Sequence, residues 1–195
     1  VGAVTAASFE DNDVNWAARA ELAARPGGGT FAYLYLGEGL GCAIMSDGLV
    51  LRGHRGLAGE IAHLTTTGPG GRATTLIEVF ALLGLRQPGS TAIDVDRLLA
   101  TATAAGPGAA TVRATLGEAV GGALTAITSL ADPAHIVIGG PWGPHPKIFT
   151  AIRDAAARDP RGPVLRPAAV PSPSFTGARA DAFTRLRDSV IAAPR

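Results

Sequence analysis

The sequence predicts an α/β layer fold: a mixed sheet flanked by helices and largely covered by them. Short apolar runs alternate along the chain with longer helical stretches, the pattern that produces a sheet between helical layers. The run at 31–36, Phe-Ala-Tyr-Leu-Tyr-Leu, is apolar on both faces, as a strand buried from both sides must be. Glycine and proline clusters punctuate the runs where turns are needed.

In chain order, residues 4–9 read as a first buried strand. An Ala-rich helix follows at 14–24, with Asn12 or Asp13 as its N-cap, since both side chains accept backbone N–H bonds. Pro26 and Gly27-Gly28-Gly29 end it. After the strand at 31–36, residues 37–41 form a glycine-rich turn. Residues 42–45 and 49–51 flank Ser46-Asp47-Gly48 as a hairpin. Residues 53–59 are again glycine-rich, 60–64 follow, and 65–75 read as a polar loop. Helices are expected at 76–83, from 91–94 through Leu99, and at 111–130. The last is the longest, and Val112, Leu116, Val120, Leu124, Ile127 and Leu130 recur near helical spacing. Its Gly117, Gly121 and Gly122 permit close approach to a core neighbour or to a second copy, at up to about 1 kcal/mol each in helix propensity. Asp132-Pro133 stops it. A short strand at 135–138 ends in Gly139-Gly140. Helices at 147–157 and 179–191 enclose a possible strand at 164–170, weakened by Pro167. Residues 1–195 read as one domain, with no internal repeat and no extended linker.

Of the 195 residues 47% are hydrophobic, enough for a proper core, whereas 17% are charged and the net charge is +1. That balance argues against both a disordered chain and a basic nucleic-acid surface. Lys147 is the single lysine, which reads as genomic compositional bias. Cys42 is the single cysteine, so one chain can build neither a disulfide framework nor a cysteine-based zinc site. A reducing, cytoplasmic compartment is the expectation. No apolar stretch reaches the roughly 18–20 residues of a membrane span, and no signal peptide opens the chain. It starts at Val1 instead of Met, as a piece of a longer protein would.

Three segments carry a resemblance to a known family. The first is Asn12-Asp13-Val14-Asn15, after a strand and before an Ala-rich helix that ends near Glu21. The second runs over residues 36–63, LGEGLGCAIMSDGLVLRGHRGLAGEIAH. The third is Asp132-Pro133 with Ile136-Val137-Ile138-Gly139-Gly140. Together they resemble the ROK family of sugar kinases and sugar-responsive repressors, and the long middle segment is the specific one. The resemblance implies an actin-like ATPase (ribonuclease H-like) fold, and within it the C-terminal lobe with the adjoining sugar site. It implies that Asn12 and Asp13 hold sugar hydroxyls, with Asp13 the general base if the protein is a kinase. It makes Glu60 and His63 sugar contacts, and they share one face if their segment is helical. Glu78 aligns with a further sugar-binding glutamate. Gly37, Gly39, Gly41, Gly139 and Gly140 fall on the nucleotide-side turns. Read from the residues alone, Asp13 also serves as a plain helix cap, and Glu60 and His63 as a surface carboxylate and a core imidazole. His54, His135, His145, Trp16 and Trp142 read as structural, and Cys42 as a buried, inert thiol.

Three departures from the family pattern shape the functional expectation. Where the family has a histidine followed by a loop of zinc-binding cysteines, this chain has His63 followed by LTTTGPGGRATTLIE; hydroxyls are poor zinc ligands, so no structural zinc is expected. The family's kinase turn is Gly-Thr-Gly, but here it is Gly37-Glu38-Gly39. A carboxylate about 4 Å from a phosphate, at an effective dielectric near 20, costs on the order of 4 kcal/mol, roughly a thousandfold in affinity. The amino-terminal lobe and the repressors' winged helix-turn-helix are not expected within these residues. The expectation is therefore the sugar-sensing effector domain of a ROK-type transcriptional repressor. It would bind a small carbohydrate, meet DNA only through a domain outside this chain, avoid membranes and form a homo-oligomer. The alternative is an ATP-dependent sugar kinase, which alone would need ATP and magnesium; otherwise no cofactor is expected.

Overall fold

The computed structural model describes residues 11–25 and 29–192; the strand expected at 4–9 and the Pro26-Gly27-Gly28 stop lie outside them. Helix α1 (Asp13–Ala24) starts where Asn12 places its side-chain oxygen 2.9 Å from the Val14 N–H, so Asn12 is the cap. Strand β1 (Phe31–Leu36) runs antiparallel to β2 (Leu40–Ser46), and β2 to β3 (Leu49–Val50). The turn between β2 and β3 places Asp47 at φ 52° and Gly48 at φ 79°, the twist a two-residue hairpin demands. Strands β4 (Thr65–Thr67) and β5 (Ala73–Thr75) pair with each other. Helices α2 (Leu76–Leu82), α3 (Val95–Thr103) and α4 (Pro107–Ala131) follow. Strand β6 (Ile136–Gly139) then runs parallel to β1, and after α5 (Pro146–Ala156) strand β7 (Leu165–Pro167) runs parallel to β6; α6 (Pro173–Ala192) is last. The main sheet has five strands in the order β3-β2-β1-β6-β7, mixed and flanked by helices as the sequence predicts.

Alternation along β1 sorts the cores. Ala32, Leu34 and Leu36 join a large core with Leu116, Val120 and Leu124 of α4 and Ile148 and Ile152 of α5. Phe31 and Tyr33 point the other way, onto Val14, Ala17 and Ala18 of α1, beside Ala43, Met45 and Val137. Glu21 of α1 is buried. One of its oxygens accepts the Ala169 and Val170 N–H groups at 2.8 and 2.9 Å, tying the segment after β7 to α1. Pro167 is tolerated because β7 is the edge strand. Among the described residues no helix is long and apolar enough to cross a membrane.

The structure corrects several boundaries. Helices α4, α5 and α6 each begin with a proline, earlier than the apolar periodicity suggests; at the first helical position proline's missing N–H costs nothing and its φ is already helical. The polar loop at 65–75 is instead the β4–β5 hairpin, and residues 60–64 form no helix. Helix α4 ends at Asp132, whose left-handed φ of 42° turns its N–H back to the Thr128 carbonyl at 3.0 Å.

The α4 glycines serve the core. A Cβ on Gly117 would lie 2.5 Å from the Ala151 carbonyl of α5, and one on Gly122 would lie 2.3 Å from the Thr66 hydroxyl. Gly117→Ala therefore sets a gain of up to about 1 kcal/mol in helix propensity against overpacking of about 1–3 kcal/mol. Because the obstructing atom is backbone, overpacking wins, and urea unfolding should show a net loss of about 1–2 kcal/mol, whereas Gly108→Ala, with open space around it, should be neutral or stabilising.

Candidate functional site

The start of α1 is fixed from the side by a buried carboxylate. Asp11, its side chain 1% exposed, receives both Arg52 nitrogens at 3.0 and 2.7 Å, the Asn15 amide at 2.7 Å and the Asn12 N–H at 2.9 Å. Burial pushes the Asp11 carboxyl up, but the hydrogen bonds from Arg52, Asn15 and Asn12 and the Arg52 charge outweigh it, so its pKa lies below the ordinary value. Arg52 follows β3 and opens the glycine-rich segment 53–59, so this bidentate pair clasps that segment to α1.

A second contact seats the same segment on β2. The Cys42 N–H donates to the Gly59 carbonyl at 3.0 Å, and Gly59 adopts φ 93° with its α-carbon so close that a Cβ would lie 1.8 Å from the Cys42 carbonyl. Only glycine fits there. Glu60, the next residue, is carried to the mouth of a cavity of about 350 Å³ lined also by Asn12, Asp13, Asn15, Tyr35, Gly39, Gly41 and Cys42. That volume lies within the roughly 300–1,000 Å³ of small-molecule sites. Asn12 spends its side-chain oxygen on the cap, leaving its NH2 as a donor. Asp13 and Glu60 are exposed at the rim, and among the described residues neither carboxylate has an ion-pair or hydrogen-bonding partner. Cys42 is buried and its thiol is pushed up to about 12 by that burial, so it is inert.

The other expected sugar contacts lie elsewhere. His63 sits exposed in a turn closed by the Leu64 N–H on the Ile61 carbonyl at 3.0 Å, and it does not line the cavity. The helical face it was to share with Glu60 does not form, because Gly59 holds the preceding backbone in a left-handed conformation. Glu78, in the first turn of α2, pairs with Arg86 at 3.1 Å and is also absent from the lining. Where the family pattern has zinc-binding cysteines, the β4–β5 hairpin is held by backbone bonds and by the buried Thr66 hydroxyl, which donates to the Ala119 carbonyl at 2.7 Å. Threonine, glycine and arginine offer no thiolate or imidazole set there, and among the described residues no three His, Cys, Asp or Glu side chains gather around a metal-sized position.

The glycines divide over two neighbouring cavities. Gly39 and Gly41 line the first, while Gly140 lines a second of about 530 Å³ with Tyr33, Pro141, Pro144 and residues 172–175. Gly37 lies beneath, its carbonyl accepting the buried Trp142 indole N–H at 3.0 Å, which ties the β1–β2 turn to the β6–α5 turn. Gly139 is covered by the Tyr33 ring, whose buried hydroxyl has no hydrogen-bond partner among the described residues. Tyr35 lines both cavities. Its phenol is held above its ordinary pKa by burial first, then by the Asp13 and Glu38 carboxylates. Asp11, Arg52 and Tyr35 carry no local sequence signal. The first two meet across 41 positions, and the third looks like any strand aromatic.

Residues 4–169 match the model of the ROK family. The bifunctional enzyme NanE/NanK of Brucella melitensis is 31% identical over 143 residues, 72% of this chain and 27% of that protein. The ROK hexokinase of Thermus thermophilus superimposes with a TM-score of 0.65 at 29% identity, covering 92% of this chain and 66% of that one. A ROK family transcriptional regulator, a homologue of the E. coli MLC protein, superimposes with a TM-score of 0.60 at 22% identity, over 86% of this chain and 49% of that one. This chain thus spans about a quarter of the curated relative and at most two-thirds of these solved chains. The fold is the actin-like one of the ROK sugar kinases, and with the family's pattern matched over most of its length, the chain belongs to the ROK family.

Proposed function

We propose that this chain is the carbohydrate-binding lobe of a ROK-family sensor. The observation that carries the reading is the convergence of Asn12, Asp13 and Glu60 on one cavity, although Glu60 stands far from the other two in sequence. Two carboxylates and an amide NH2 offer acceptors and donors to neighbouring hydroxyls of a neutral ring. The same carboxylates suit a phosphate poorly. Glu38 stands at the turn that would approach it, and Asp13 and Glu38 both act on the Tyr35 phenol, so two carboxylates stand near that residue. Glu38 is exposed, so solvent screens much of its repulsion. As a sensor, the lobe would have to bind sugar better in one state than in another, with a DNA-binding part outside these residues reporting the change.

One observation favours a second reading, a sugar kinase. The Asp13 carboxylate stands unpaired among the described residues, where a general base would be needed. In that reading a sugar hydroxyl oxygen attacks the γ-phosphorus of ATP, the bond to the ADP oxygen breaks, and the hydroxyl proton passes to Asp13. Asn12 would orient the sugar, and the glycine turns would admit the phosphates.

Calorimetry with hexoses and N-acetylhexosamines, run beside an ADP-release assay with ATP and magnesium, separates the two. The sensor reading expects heat with at least one sugar and no sugar-dependent ADP. Asp13→Asn should weaken the sugar by about 10–100-fold, the worth of hydrogen bonds to a charged group. Sugar-dependent ADP release that disappears in Asp13→Asn would establish the kinase instead.

The Asp11–Arg52 clasp gives a further prediction. Arg52→Ala frees the segment bearing Glu60, so sugar affinity should fall several-fold and backbone hydrogen exchange at 53–60 should quicken. Asp11→Asn should cost about 1–3 kcal/mol of stability at neutral pH, toward the lower end because Arg52 is 45% exposed. Since folding lowers the Asp11 pKa, its contribution is complete above the ordinary value of 3.8 and is lost as pH falls through the folded value. Unfolding curves of the wild type and Asp11→Asn should therefore converge in acid and stay apart above about pH 5.

A further inference from the structure

Behind the segment that carries Glu60 lies a third hollow, opposite in character to the polar cavity. It measures about 330 Å³ and runs between residues 51–61 and the last turns of α4, lined by Leu51, Leu57, Ile61, Leu64, Ile127 and Leu130. Leu130 is 86% exposed, Leu57 57% and Leu51 50%; Leu49, on the edge strand β3, is 70% exposed and continues the patch. A contiguous apolar surface of this kind marks a place of contact. Its form and charge say with what. The surface holds both a hollow and a knob, since Leu130 borders the groove and projects almost wholly into solvent. A contact about a two-fold axis needs that combination on one surface, so that the knob of each copy meets the hollow of the other. The two lips also differ in charge. Of the charged side chains on the loop lip, Arg52 is taken by Asp11 and Glu60 stands at the mouth of the polar cavity; Arg55 is exposed and has no ion-pair partner among the described residues. The helix lip ends in the exposed Asp132, at the negative end of the α4 dipole, with no basic residue in the last turn. A two-fold axis at the groove sets the loop lip of one copy against the helix lip of the other, so unlike charges meet.

We infer that this groove seats a second copy of the chain, Leu130 of each entering the hollow of the other, and that the seating is linked to the sugar cavity. Cys42, Ala58, Gly59 and Glu60 line both hollows, so the segment 58–60 is a wall between them. A leucine of the second copy pressed against Leu57 and Ala58 restrains the stretch that presents Glu60. A sugar held by Glu60 restrains the same stretch from the other side. Each event leaves less ordering for the other, and the linkage is reciprocal. The linkage rests on the carbohydrate reading; the docking surface does not.

The test is analytical ultracentrifugation of the full chain over a wide range of concentration, beside calorimetry with hexoses. The wild type should form a dimer. Leu57→Asp and Leu130→Arg, both at exposed positions and each first checked by thermal melting, should be monomeric where the wild type is dimeric. Mixed together they should dimerise again, because the two introduced charges then face each other at one contact while the other contact keeps its leucines. Hexose affinity should be at least about threefold tighter in the wild-type dimer than in either variant, and saturating hexose should tighten the dimer in turn. A wild type that stays monomeric throughout, or a dimer that both variants leave intact, overturns the docking surface. A dimer lost in each variant and not regained in the mixture overturns the two-fold exchange of leucines. Equal hexose affinity in dimer and monomer overturns the linkage. Absence of hexose binding in every form sinks the carbohydrate reading and the linkage with it, while sedimentation still decides the surface. Should one variant fail to fold, the wild type and the other variant decide.

Discussion

The candidate site depends on one close contact between two pieces of backbone, Gly59 against Cys42. Strand β3 is only two residues long, so the edge of β2 away from β1 has no strand beside it beyond the hairpin, and there Gly59 takes up the Cys42 N–H. A side chain at position 59 would meet the Cys42 carbonyl at 1.8 Å. The irregular segment between β3 and β4 is thereby fastened to the sheet at one end and, through Arg52 and Asp11, to α1 at the other. With both contacts made, Glu60 faces Asn12 and Asp13 across a cavity. Remove either, and the three polar groups belong to a helix end and an unrestrained loop.

Much of the fold was legible because it follows from periods and caps. The run at 31–36, apolar on both faces, predicts a strand buried from both sides, and Ala32, Leu34 and Leu36 pack opposite to Phe31 and Tyr33. Ser46-Asp47-Gly48 predicted its hairpin through the left-handed backbone it requires. Helix starts come out late at 111, 147 and 179, because apolar periodicity does not register a proline at the first helical position, where α4, α5 and α6 begin. The β4–β5 hairpin was hidden in a threonine-rich stretch whose side chains are as much polar as β-branched. At the site, Asn12 and Asp13 were readable as a pair at a helix start. Glu60 is singled out by the family resemblance, and it shares no helical face with His63, because three-residue spacing means a shared face only on a helix and residues 60–64 form none. The Asp11–Arg52 clasp and the position of Tyr35 were invisible for one reason: each is made by partners far apart in the chain.

The fold does not decide between sensing and catalysis, since one scaffold carries both trades and chemistry resides in a few side chains placed on it. Those side chains are concentrated here at one end of the sheet. Asp13, Glu38 and Glu60 give that end an anionic rim, whose Coulomb cost falls on phosphates and not on neutral polyols. The hydroxyls of a sugar donate to carboxylates with charge-assisted strength, so the groups that repel one ligand class attract the other. The second cavity is different in character, being walled by Tyr33, Pro141, Pro144 and Phe175 with an unpaired phenol among them.

The strand that fills both cores also reaches the two cavities, through Tyr35. The large core takes the opposite face of β1, and the smaller core is filled by Phe31, Tyr33, Ala43, Met45 and Val137, with Tyr35 only packed against its margin. Its register neighbours Gly41 and Gly139 carry no side chain, but Val14 and the Tyr33 hydroxyl crowd those positions, and the Tyr35 ring lies over Gly37. The strand's core-facing members keep the scaffold, while Tyr35, half-buried near its end, lines both cavities.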